Sequence, residues 1–367
     1  MTHSLAGSKL LHTQPNLSVR RSFDDSGLQV TWGEGSEREE LITDSPDLAG
    51  CLATMPDQIS ADLATSRFIA EMGLDADAAA NLVHQLVNYG YWSLEPKRLT
   101  QGELRWRDVE WNDALDFHRA TRNMIWSHDY SGNPKVMTRY HVQFNVQPDS
   151  DPPTRYSPNV LATVVMPKPA SLDVDFRQIV QKRRTARDFR NTSLTLQDLS
   201  TLLAWTFKPQ HPTERPQFYT SQSYSQGAPF AAFVITGGKG APPELERDFA
   251  VYHYAPEQHQ LGLVRKPENL DRFSALLWRQ SYVDHAPVML VICVDWSQFS
   301  WKYRFSRAYR FVYTECGAFM HTALLVGTAL GLKAFQTPAI DDQRMCETLA
   351  ISDHEIGPIY MAVFGHS

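Results

Sequence analysis

Three stretches of the sequence combine residue types able to do chemistry. The first is Lys182-Arg-Arg-Thr-Ala-Arg-Asp-Phe189, where four cations surround a threonine hydroxyl. Guanidinium forks and a hydroxyl suit a phosphate; a basic turn between two helices is also an ordinary solvated surface, and the residue types leave both open. The second is Ser221-Gln-Ser-Tyr-Ser-Gln-Gly-Ala228, a loop of small residues directly ahead of a β-forming run that starts at Phe230. Such a backbone can approach a flat ligand closely, or it is a plain polar loop. The third is Trp301-Lys-Tyr-Arg-Phe-Ser-Arg-Ala-Tyr-Arg-Phe311, which sets Lys302 and Tyr303 among Arg304, Arg307 and Arg310. Nearby like charge lowers a lysine pKa and favours tyrosinate, making either residue a better base near neutral pH. Aromatic and arginine side chains at helical spacing also stack on one another at surfaces.

Other chemistries lack their residues. There is no Gly-x-Ser-x-Gly, His-Glu-x-x-His, Walker loop or Gly-x-Gly-x-x-Gly, and Gly237-Gly-Lys-Gly240 reads as a turn. His118, His253, His259, His285 and His321 have no metal-ligand spacing and read as surface or satisfied core histidines, so no metal is expected. The 4 cysteines, Cys51, Cys293, Cys316 and Cys346, form no short-spaced pair, which fits a reducing compartment.

The elements that position these residues must come from a chain of 367 residues, 43% hydrophobic and 21% charged, values of ordinary folded domains that exclude disorder. With 35 basic against 41 acidic residues the net charge is -6, so no basic excess points to nucleic acid or an anionic membrane. The N-terminus shows neither signal-peptide run nor long apolar stretch, predicting a soluble cytoplasmic protein.

Residues 1–16 read as a mobile tail. Leu17–Phe23 and Leu28–Trp32 alternate apolar and polar positions around Asp24-Asp-Ser-Gly27, predicting a hairpin. Helical spacing follows over 47–52, over 61–72 closed by Gly73, and over 75–88 closed by Gly90; Tyr91 and Trp92 return to strand. Residues 17–108 are thus expected to be a winged-helix-like module. Its stretch 75–90 lacks any arginine or lysine, which argues against a helix seated in a major groove.

Residues 109–172 are expected to be a connector with a helical start, Trp111 to Arg122, and an irregular tail from Pro148 to Pro169. Residues 173–367 read as an α/β region. Its helices cover 195–205, capped by Thr195 with Asp198, and 313–330, whose Gly317, Ala318, Ala323, Gly327 and Ala329 allow close packing; its strands cover 230–236, 288–294 and 359–364.

Taken together, Arg183-Arg-Thr-Ala-Arg187, the Ser-rich loop with Gly227-Ala228, and the helix from Glu315-Cys-Gly317 to Gly331-Leu332 resemble the FMN-dependent nitroreductase fold. Within it, Tyr252-His-Tyr254, His259-Gln-Leu261, and above all Trp301-Lys-Tyr303 leading into Arg307-Ala-Tyr-Arg310 resemble the SagB-type dehydrogenases, as does Trp111 to His118. The resemblance covers residues 109–367. Tyr224, Arg304 and Ala318 depart from the proline, glycine and histidine usual at those places.

The resemblance implies an α+β fold: a nitroreductase-like FMN-binding α/β sandwich behind the N-terminal winged-helix-like module. It implies FMN as cofactor, with Arg183, Arg184, Thr185 and Arg187 on its phosphate and ribityl chain, Ser225 and Gly227 along its ring, and Lys302 with Tyr303 as catalytic pair. The implied activity is oxidation of thiazoline or oxazoline rings in a ribosomally made peptide to thiazoles or oxazoles, with O2 reoxidising the flavin. Partners would be that peptide and a cyclodehydratase, and the chain would form a homodimer. Residues 17–108 would bind a leader peptide as an added strand. Competing readings are an NAD(P)H-dependent nitroreductase or flavin reductase, a dehydrogenase of carrier-bound aminoacyl or dipeptidyl units, and a non-catalytic flavin- or peptide-binding scaffold.

Overall fold

The computed structural model describes residues 9–13, 18–21, 28–32, 39–43, 45–95, 100–121, 153–190, 192–208, 229–237, 240–303 and 306–366. The chain divides into two compact units, 1–127 and 128–367.

In the first unit, β1 (Leu10–Thr13) lies between β5 (Gln58–Ser60) and β6 (Trp92–Ser93), all antiparallel. The tail expected over 1–16 is therefore corrected within its described part: Leu11 is fully buried and β1 is the middle strand of its sheet. A strand of four residues without a clear alternation carries little local signal; burial against the helices decides it. A second sheet holds the expected hairpin, β2 (Ser18–Arg21) and β3 (Leu28–Trp32), extended by β4 (Glu39–Thr43).

The helices α1 (Pro46–Ala53), α2 (Ala61–Met72) and α3 (Ala76–Asn88) start on the side chains of Ser45, Ser60 and Asp75, and α2 stops at Gly73, whose φ of 66° is the left-handed C-cap. They bury Leu52, Phe68, Val83 and Leu86 against Tyr91 and Trp92, whose rings meet edge-on at 5.0 Å. Two more helices follow, α4 (Gln101–Asp108) and α5 (Asn112–Thr121), clipped together by Arg119 and Glu103 at 2.8 Å.

In the second unit, described strands form one antiparallel sheet of seven: β7 (Ala162–Val165), β8 (Phe230–Thr236), β9 (Ala250–Ala255), β10 (Gln260–Arg265), β11 (Val288–Asp295), β12 (Lys333–Thr337) and β13 (Ile356–Gly365), in the order β12-β13-β11-β8-β9-β10-β7. Every residue of β11 is buried, as a central strand covered on both faces requires. One face packs on α7 (Leu196–Phe207) and α9 (Tyr309–Ala329), with α6 (Phe176–Lys182) against α9; the other packs on residues 270–286 and α10 (Asp342–Leu349).

Thr195 and Asp198 form the expected capping box of α7. Gly327 lets α9 lie on β13, since a Cβ there would stand 2.9 Å from the Phe364 ring. Residues 109–172 are more than a connector: α5 belongs to the first unit, while β7 is an edge strand of the second unit's sheet, in register with β10. Pairing to a partner strand, which local composition does not reveal, orders that run.

Candidate functional site

Arg183 caps the C-terminal end of α6, its N–H donating to Ile179 O at 2.9 Å. The next turn is stitched to the sheet edge: Thr185 bridges Ala334 of β12 in parallel fashion, and the Ala186 N–H donates to Ala334 O at 2.8 Å. The Arg184 guanidinium folds back onto two carbonyls, Gln181 O at 2.8 Å and Arg183 O at 2.7 Å, where a cation meets the negative end of the helix. Arg187 rests 5.9 Å from the ring centres of Tyr282 and Phe335.

None of Arg183, Arg184 and Arg187 makes a salt bridge among the described residues. Arg190, three residues beyond Arg187, pairs with Asp188 at 3.0 Å, and that hydrogen bond holds the Asp188 carboxyl down to about 2. Segment 183–187 thus offers three cations without a carboxylate partner among the described residues, the donor types an anion would require.

Helix α8 (Trp296–Lys302) begins on Asp295, whose carboxylate accepts from Gln298 N at 3.1 Å, and it ends at Lys302. The Lys302 side chain lies outside what the structure describes, as do Arg304, Ser225 and Gly227; the loop holding the last two rejoins the described chain at Pro229. Tyr303 is 7% exposed, its ring 5.1 Å from Phe299 and 5.9 Å from Phe311. It sits in a small core with Val294, Ala308 and Val312. The ring contacts of Tyr303 are tilted and edge-on contacts between aromatic rings in a small core, not the aromatic–arginine surface stacking that the residue types also allowed; Trp296 and Tyr309 stack at 5.5 Å. Burial, with Arg310 nearby, pushes the Arg307 guanidinium below its ordinary value. The 183–187 segment and α8 reach the same sheet by different routes, through β12 and through β11.

Two histidines are tied in ways that residue order did not reveal. His259, at a left-handed φ of 52° between β9 and β10, meets Tyr254 Oη at 2.7 Å through Nδ1 and Ser200 Oγ at 2.8 Å through Nε2. It is a satisfied core histidine, and burial lowers its pKa. His253 packs edge-on to Tyr156 at 5.7 Å and Phe233 at 5.4 Å, and burial pushes its imidazole down to about 4. Strand pairing sets Phe233 opposite His253, while Ser200 comes from α7 and Tyr156 from the segment ahead of β7. Among the described residues no group of His, Cys, Asp and Glu gathers as for a metal, and no helix is long and apolar enough to cross a membrane.

The nitroreductase family profile matches residues 180–366, just over half of the sequence, and the chain belongs to that family, whose members bind flavin. A nitroreductase-type protein of Methanocaldococcus jannaschii is 25% identical over 184 residues, covering 50% of this chain and 88% of its own length. The trifolitoxin operon protein TfxC of Rhizobium leguminosarum bv. trifolii is 24% identical over 272 residues, 71% of this chain and 73% of that protein. Among solved structures, the E. coli microcin synthetase McbBCD complex with truncated pro-MccB17 bound has a chain similar at 15% identity and a TM-score of 0.43, covering 74% of this chain and 98% of that one.

Proposed function

We propose that this chain is an FMN-dependent dehydrogenase that oxidises thiazoline or oxazoline rings of a ribosomally made peptide to thiazoles or oxazoles. The observation that carries the cofactor site is the cradle at 183–187: three arginines and the exposed Thr185 hydroxyl, held by the β12 bridge, with no carboxylate partner among the described residues. These donors fit a phosphate dianion joined to a polyol chain. Arg183, Arg184, Thr185 and Arg187 would hold the phosphate and ribityl chain, and Ser225 and Gly227 would line the ring. When bound, FMN would accept the hydride from the ring carbon and pass the electrons to O2.

Lys302 or Tyr303 takes the acidic ring proton as general base, and contacts with the buried Phe299 and the partly buried Phe311 hold the Tyr303 ring in place. The choice of a peptide ring as substrate is supported by the match to the trifolitoxin operon protein, which runs well beyond the length of the family profile. In this proposal the first unit binds the leader segment of the precursor as an added strand, a cyclodehydratase supplies the azoline, the cytoplasm is the compartment, and two chains pair through the Gly317–Ala318 side of α9. That side is half-exposed, with nothing within 4 Å of a Cβ at Gly317.

The test is direct. The purified protein should carry FMN and, in air without NAD(P)H, remove two hydrogens from a synthetic thiazoline peptide. Absence of flavin after reconstitution overturns the cofactor assignment. An intact thiazoline with bound FMN, together with rapid bleaching by NAD(P)H, establishes instead the second reading, an NAD(P)H-dependent nitroreductase, which the M. jannaschii relative favours.

A further inference from the structure

Asp295 is a carboxylate only 5% exposed at the junction of β11 and α8. Its Oδ1 accepts from Gln298 N at 3.1 Å and from Ser297 Oγ at 2.7 Å; its Oδ2 accepts from Tyr156 N at 3.2 Å. Its own N–H donates to Pro229 O at 2.6 Å, in the residue that leads into β8. The second residue of the junction, Gln298, donates through Nε2 to Pro153 O. Segment 153–156 therefore straps the first turn of α8. The strap is anchored at its other side by the Tyr156 ring on Phe233 and His253, and by Arg155, which pairs with Glu257 at 2.5 Å and also feels the Asp295 charge.

A helix cap alone does not call for this arrangement. Serine caps α1 and α2 and the exposed Asp75 and Asp175 cap α3 and α6, whereas a buried carboxylate costs more than a hydroxyl or an exposed carboxylate unless it has several donors. Here both oxygens are used, and they join pieces of chain far apart in sequence. Geometry amplifies whatever Asp295 fixes: at 1.5 Å per residue a seven-residue helix is about 10 Å long, so a tilt of about 6° at its start moves its far end by about 1 Å.

We propose that Asp295 is a positioning residue for the Lys302–Tyr303 pair, locking strap 153–156, Pro229 just ahead of β8 and helix α8 into one unit. The inference rests on the role given above to Lys302 and Tyr303. It makes the residues just before β7 part of the catalytic apparatus.

The experiment uses the full-length flavin-loaded protein, with Asp295→Ala and Asp295→Asn, and a short synthetic peptide bearing one thiazoline as probe. Asp295→Ala should lower kcat about 10- to 100-fold, as a misplacement near 1 Å does. KM should stay within about twofold, flavin content should be unchanged, and backbone amides over 153–157 and 296–303 should exchange with deuterium faster. Asp295→Asn keeps a cap acceptor for Gln298 but turns an amide toward Tyr156 N–H, so its loss in kcat should be smaller and its faster exchange confined to 153–157.

Turnover and exchange at the level of the unmodified protein in both variants would overturn the proposal, as would a loss seen only in KM or in flavin content. Should Asp295→Ala fail to fold, Asp295→Asn decides alone. Should the unmodified protein leave the thiazoline intact, the role of Lys302 and Tyr303 fails; unchanged exchange over 153–157 in Asp295→Asn would then overturn the junction as well.

Discussion

The arginines of 183–187 and Arg190 are close neighbours in sequence with different tasks. A charge-assisted hydrogen bond contributes about 1.5–3 kcal/mol, so Arg183→Ala should weaken FMN binding roughly 10- to 100-fold, measured by titrating the apoprotein. Arg190→Ala should leave that affinity unchanged, because its guanidinium is engaged by Asp188. Tyr303→Phe keeps the ring in its pocket of Phe299 and Phe311 and removes only the hydroxyl. A fall of about 10² to 10⁴-fold in kcat with FMN still bound would identify Tyr303 as the base, and an unchanged kcat would leave that task to Lys302. His253 titrates at about 4 in the fold against 6.5 in the free side chain. Its pKa is lowered on folding, so the unfolded chain takes up the proton first as pH falls. The contribution is intact above pH 6.5 and is lost progressively toward pH 4. Melting temperature measured across that range should decline, and His253→Phe should make the decline shallower.

At the scale of elements, α9 is the long helix on which the core of the second unit is built, and its glycines are not equivalent. Gly327→Ala places a methyl 2.9 Å from the Phe364 ring, so α9 must move off β13, at a cost of about 1–3 kcal/mol. Gly317→Ala meets nothing within 4 Å and should gain up to about 1 kcal/mol of helix propensity in a single chain. Denaturant midpoints of the two variants should therefore shift in opposite directions. Both the spacing of small residues on this helix and the capping box of Thr195 and Asp198 were legible in the sequence, since each is a local pattern. The hairpin β9–β10 was met only as the motif around His253 and His259, because its strands acquire their character from pairing.

Across the whole molecule, the two compact units divide the proposed labour. Removing the first unit should leave FMN bound and a short thiazoline peptide still oxidised, while raising KM for a precursor that carries its leader; an unchanged KM for that precursor would deny the first unit that role. Gly317→Leu should leave the fold intact and shift the sedimentation coefficient from dimer to monomer if α9 pairs two chains there.

The sequence by itself determined the arginine segment, the helices over 61–72, 75–88, 195–205 and 313–330, the capping box of Thr195 and Asp198, and the central strands, because each is carried by local periodicity or by a short run of definite residue types; the family fold was legible only as a resemblance of several such runs taken together. Tertiary structure alone decided that Leu10–Thr13 is the middle strand of a sheet, that Ala162–Val165 closes an edge of another, and that Asp295 ties Tyr156, Pro229 and Gln298 together. The physical reason is the same in each case: strand pairing and the satisfaction of a buried carboxylate depend on partners up to 139 residues away, which no local pattern specifies.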